Sequence, residues 1–99
     1  MYVKFERTGG FAGLPLRATI ESSSLQADQL DSLHRLLEET QFFELPEQMD
    51  APCVGTDRFC YRVFVEDGER QHTIQASEEA VPDQLWPLLK WLTQQARCL

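Results

Sequence analysis

Cys60 and His72 are the residues best suited to act as a nucleophile and its base, and Glu38-Glu39 and Glu78-Glu79 are the adjacent carboxylates best suited to acid–base work. Neither set reads as an active site. A thiol and an imidazole can be paired on paper in almost any small protein, and side chains of neighbouring residues diverge instead of facing one bond. The chain has no G-x-S-x-G, no H-E-x-x-H and no phosphate-binding loop. No set of His, Cys and carboxylates has metal-ligand spacing. His34 borders the apolar stripe of a helical segment and reads as a boundary residue. The expectation is a non-enzyme with no cofactor and no metal of its own.

The chain offers instead Arg7-Thr8-Gly9-Gly10-Phe11-Ala12-Gly13, in which three glycines frame one aromatic. Glycine tolerates the positive φ that tight reversals need. The run lacks a following Lys-Ser/Thr and opens onto an extended segment, so it is no phosphate cradle. Two readings stay open. One is a hairpin turn with a buried aromatic; the other is a loop that presents Phe11 to a partner.

The elements around this loop follow from periodicity. Val3 and Phe5 share one face of a first strand, with Tyr2, Lys4 and Glu6 on the other. Leu14, Leu16, Ala18 and Ile20 alternate with Arg17, Thr19 and Glu21 as a second. Ser22-Ser23-Ser24 supplies cap candidates for a helix over 27–41 carrying Leu30, Leu33, Leu36 and Leu37. Asp31, Arg35 and Glu39 stand four apart on its solvent side, a spacing that predicts weak ion pairs. Residues 42–58 are irregular, punctuated by Pro46, Pro52 and Gly55, and longer than a connection needs to be.

Phe59, Tyr61, Val63 and Val65 then alternate with Cys60, Arg62 and Phe64; Phe64 makes this third strand apolar on both faces and therefore central. Asp67-Gly68 predicts a two-residue hairpin before a fourth strand over 70–76 carrying His72, Ile74 and Ala76 on one side. A last helix runs from about Pro82, with Leu85, Leu88, Leu89, Leu92, Ala96 and Leu99 on one stripe. Pro87 either kinks that helix or means that its regular part starts later. Trp86 and Trp91 flank the stripe, as boundary packing or as a contact site.

The resulting fold class is α+β: a four-stranded antiparallel sheet with two helices on one face, in the order β-β-α-β-β-α and in a single domain over 1–99. With the first strand running upward, the glycine loop, residues 42–58 and residues 77–81 all come to the top edge. Three irregular segments converge there, which favours a binding edge.

Composition sets the limits. The 99 residues are 42% hydrophobic and 25% charged, and a chain of this length buries roughly 65% of its unfolded surface. The net charge of −7 repels nucleic acid, and the nine basic residues are dispersed. No apolar run reaches transmembrane length. The start alternates like a strand and lacks the apolar region of a signal peptide, so a cytoplasmic address is expected. Cys53, Cys60 and Cys98 are odd in number without C-x-x-C spacing, which predicts reduced, mostly buried thiols.

These residues together resemble the emfourin family, small proteinaceous inhibitors of protealysin and related thermolysin-type metalloproteases. The resemblance rests on Phe5-Glu6-Arg7-Thr8-Gly9-Gly10-Phe11-Ala12-Gly13, on Phe42-Phe43-Glu44-Leu45-Pro46, and on Asp57-Arg58-Phe59-Cys60-Tyr61. It continues through His72-Thr73-Ile74, Val81-Pro82 and Leu88-Leu89-Lys90-Trp91-Leu92, so that it covers essentially the whole chain.

It implies a partner that is a thermolysin-type zinc protease and an inhibitor that carries no metal; the free protein is expected to be a monomer. The protease-facing residues would be Thr8, Gly9, Gly10, Phe11, Ala12, Gly13 and Leu14, joined by Met49, Asp57 and Arg58. Phe11 or Leu14 would fill the pocket such clefts offer to a large apolar residue after the scissile bond. Asp57 would approach the protease's zinc or would merely cap the third strand. The competing reading is a non-catalytic adaptor that binds a non-protease partner through its sheet face or its tryptophans; a small-molecule site has no obvious residues.

Overall fold

A computed structural model describes residues 1–9, 15–49 and 59–97. Four antiparallel strands form the body of the sheet: β1 (Tyr2–Gly9), β2 (Leu16–Glu21), β4 (Phe59–Asp67) and β5 (Arg70–Ser77). A two-residue strand β3 (Gln48–Met49) adds to β5 in parallel, giving the order β2-β1-β4-β5-β3. The helices are α1 (Ala27–Thr40) and α2 (Trp86–Arg97). The β-β-α-β-β-α order read from periodicity is the observed one, with β3 as an addition that alternation does not signal.

Register fixes which side chains share a face. Phe5 stands opposite both Ala18 and Val63, and Val63 opposite Ile74. These residues, with Val3, Ile20, Val65 and Ala76, are buried against Leu33 and Leu37 of α1 and Leu88, Leu89 and Leu92 of α2. Both helices therefore cover one face. The other keeps Lys4, Arg17 and Arg62 exposed and Tyr2 and Phe64 half-buried, edge to face at 6.4 Å. Phe64 belongs to a strand flanked by β1 and β5, the central position its apolar outer face requires.

The helix ends differ in detail from expectation. Ser22–Ser24 form a 3-10 turn, and the cap falls to Gln26, whose side chain completes a capping box with Gln29. Gln26 is the residue with extended backbone just before the first helical turn, so it holds the capping position. Asp31, Arg35 and Glu39 stay exposed on α1, while the ion pairs seen among the described residues are Arg17–Glu6 at 2.7 Å and Arg70–Asp67 at 3.3 Å. Pairs as exposed as these contribute little to stability whether or not they form. A 3-10 turn over Asp83–Leu85 precedes α2, which places Pro87 in the first helical turn, where its missing N–H costs nothing. The Asp67–Arg70 hairpin turns on Gly68 and Glu69, one residue later than expected, with Gly68 at φ +65° in the first central position as a type II′ turn requires.

Gln41 ends α1 in the left-handed region, at φ 52° and ψ 48°. A side chain there is strained by about 1 kcal/mol, which glycine relieves. Gln41→Gly is expected to raise the unfolding free energy by up to about 1 kcal/mol, read from the urea midpoint. A fall in midpoint would show that the Gln41 side chain makes contacts that outweigh the strain.

One expectation is overturned. Cys60 is disulfide-bonded rather than a free thiol. Cys53 and Cys98 lie outside the described residues. Spacing along the chain does not report which cysteines the fold brings together. Among the described residues, no helix is long and apolar enough to cross a membrane.

Candidate functional site

The sheet register gathers the described ends of the irregular segments along one edge. Arg7 pairs with Leu16 across β1 and β2, and Gly9 pairs with Phe59 across β1 and β4. Cys60 pairs with Ser77, and Met49 pairs with Ala76. The chain therefore leaves β1, enters β2, leaves β3, enters β4 and leaves β5 at the same end of the molecule.

Local bonds hold this edge. Gly9 adopts φ +88°, a conformation that favours glycine, so the first glycine of the loop does what its type suggests. The Glu78 amide donates to the Phe59 carbonyl at 2.9 Å, and the Phe59 amide donates to Glu78 Oε1 at 3.1 Å. The Arg7 guanidinium lies over the Phe59 ring at 4.2 Å. On the far side of β5, the Gln75 amide donates to the Glu47 carbonyl at 2.7 Å and His72 Nε2 donates to the Leu45 carbonyl at 2.6 Å, which fastens the segment leading into β3.

Beneath the edge lies an aromatic layer. The Tyr61 ring meets Trp86 edge to face at 5.8 Å, with Phe5 at 6.3 Å and Phe59 at 6.5 Å. Burial pushes the Tyr61 phenol above its ordinary value of 10.0, against the opposing pull of Arg7 and with a smaller push from Glu78. The unfolded chain ionises near the ordinary value and the folded one resists, so this stabilisation is intact below pH 10 and is lost as pH rises beyond it. Urea midpoints measured above pH 10 should fall with rising pH, and less steeply in Tyr61→Phe. Identical pH slopes in the two proteins would remove Tyr61 from the effect.

Of the residues expected to face a partner, Thr8 is half-buried opposite Cys60 and Gly9 is exposed at the edge. Met49 lies at the same edge by its backbone. Gly10, Phe11, Ala12, Gly13, Leu14, Asp57 and Arg58 lie outside the described residues. Arg7, Phe59 and Glu78 escaped the sequence reading as a set. Alternation does put Arg7 on the face of Phe5, and it puts Phe59 on the face of Tyr61.

The chemistry weighed from types alone does not assemble. Cys60 stands opposite Ser77 at one end of β4, whereas His72 stands opposite Val65 towards the other. The Cys60 sulfur, held in a disulfide, and the His72 imidazole cannot act as a dyad across that separation. Glu78 is engaged by the Phe59 amide, and Glu38 and Glu39 are exposed on α1. Among the described residues, no group of three or more His, Cys, Asp or Glu converges as a metal site would.

Comparison with known protein families matches residues 5–93 to the family described as Emfourin. No curated protein and no solved structure matches the chain.

Proposed function

The chain belongs to the Emfourin family, and from that premise we propose that it inhibits thermolysin-like, protealysin-type zinc metalloproteases by blocking the active-site cleft with loop 8–14 and neighbouring loops. Membership of an inhibitor family over residues 5–93 is the observation that carries this reading. The shared edge supports it, because the flanks of both long loops and the end of β5 lie at one end of the sheet. An interface of standard size needs about 800 Å² from each side, more than one loop supplies. Residues 49–58 therefore contribute beside the glycine loop, Met49, Asp57 and Arg58 among them.

In this mechanism Phe11 or Leu14 enters the apolar pocket that follows the scissile position. The loop's flanking backbone pairs with the cleft's edge strand. Asp57 either approaches the protease's zinc as a carboxylate or caps β4. The inhibitor contributes shape and backbone pairing and performs no chemistry. Hydrolysis of a furylacryloyl dipeptide by a thermolysin-type protease, titrated with this protein, tests the reading. Stoichiometric loss of activity with the inhibitor recovered uncleaved is expected; undiminished hydrolysis at excess inhibitor against several such proteases overturns it.

A further inference from the structure

Arg7 leads from the loop edge into a groove of about 270 Å³ between the end of β1 and one side of α2. Lys90, Thr93 and Arg97 line it from the helix, with Trp86 and Tyr61 forming its aromatic wall. On α2, residues 86, 90, 93 and 97 recur at helical spacing and so form one stripe. Three of the nine lysines and arginines of an otherwise acidic chain meet in this groove, and no carboxylate among the described residues lines it. Each of the four other grooves described carries at least one carboxylate: Glu38 and others, Glu39, Glu6, and Glu21 with Glu66. Glu78, which acts on Tyr61 from the β5 turn and accepts from the Phe59 amide at 3.1 Å, is not among the residues that line the groove.

The cations are held differently. Arg7 is half-buried and stacked on Phe59, so its guanidinium is fixed before any partner arrives. Lys90 and Arg97 are exposed, and neither takes part in the ion pairs seen among the described residues. Arg97 in the last turn also favours the helix C-terminus, but that role does not require Arg7 and Lys90 beside it.

We propose that this groove receives an acidic side chain, aspartate or glutamate, from the rim of the protease partner, next to the cleft that the loop edge blocks. The proposal rests on the inhibitor reading and adds to it a charge-selective second contact. It explains how a chain of net charge −7 could distinguish among proteases by a local field opposite in sign to its global one.

The test compares wild type, the double variant Lys90→Gln/Arg97→Gln and the single variant Lys90→Glu as inhibitors of a thermolysin-type protease, at about 50 and about 300 mM salt. Lys4→Gln, on the opposite sheet face, removes the same charge without touching the groove. The double variant is expected to raise the inhibition constant about tenfold at low salt and to flatten its salt dependence, with Lys90→Glu also weakened and Lys4→Gln unchanged. Unchanged thermal midpoints, expected for exposed positions, attribute the loss to binding. Equal inhibition by all four proteins at both salts overturns the groove and leaves the inhibitor reading standing. Absence of inhibition by wild type overturns that reading and takes the groove's partner with it.

Discussion

Phe42→Ala is expected to lower the free energy of unfolding by about 3–5 kcal/mol, the largest effect on stability predicted here for one side chain. Phe42 is fully buried in the 3-10 turn that follows α1. Its ring meets Phe43 and His72 edge to face, each at 5.6 Å. Truncation would open a cavity between the end of α1 and β5, and the neighbours that would have to close it are themselves fixed. His72 is held by the Leu45 carbonyl, and Thr40, also fully buried, has its hydroxyl bonded back to the Leu36 carbonyl at 2.8 Å. Against a total stability of about 5–15 kcal/mol, a loss of this size is a large share. Guanidinium denaturation should show a lower midpoint with an unchanged slope; a change below about 1 kcal/mol would mean that the turn can refill the space. The same turn leads into β3, so the edge's outermost strand should loosen with it.

The elements legible in the sequence were those whose periodicity is set by the sheet and the helices themselves. Leu88, Leu89 and Leu92 announce the buried stripe of α2, and Phe64 on the outer face of β4 announces a strand with neighbours on both sides. What alternation cannot express is pairing. β3 is two residues long beside Pro46, and only its parallel contact with Gln75 and Ala76 makes it a strand. Single-strand patterns place Arg7 and Phe59 on inward faces, but the Gly9–Phe59 register is what stacks the guanidinium on the ring. The Cys60 disulfide is a tertiary fact of the same kind. The edge itself was deducible, because antiparallel order alone sends each loop to its end of the sheet. Which of its side chains meet a partner was not, since that depends on a surface the chain does not contain.

Phe11→Ala is expected to weaken protease binding by more than about 2 kcal/mol, a rise of roughly thirtyfold in the inhibition constant, while leaving the thermal midpoint where it is. Phe11 lies outside the described residues, so its position in the sequence and the frame around it carry the argument. Gly9 already turns the backbone at φ +88°, and Gly9 and Leu16 mark where the loop leaves and rejoins the sheet. An aromatic between such flanks serves one of two ends, and they make opposite predictions. If the ring is a buried turn residue, its truncation costs stability as Phe42→Ala does, and potency falls only as the unfolded fraction grows. If the ring enters the partner, stability is untouched and potency collapses. Truncating a central aromatic anchor removes both its area and the exclusion of water around it, so the loss exceeds that of any rim residue. Measuring inhibition and thermal midpoint on the same Phe11→Ala preparation therefore separates the two roles. A folded variant that inhibits normally would discard insertion of Phe11 and leave Leu14 to fill the pocket.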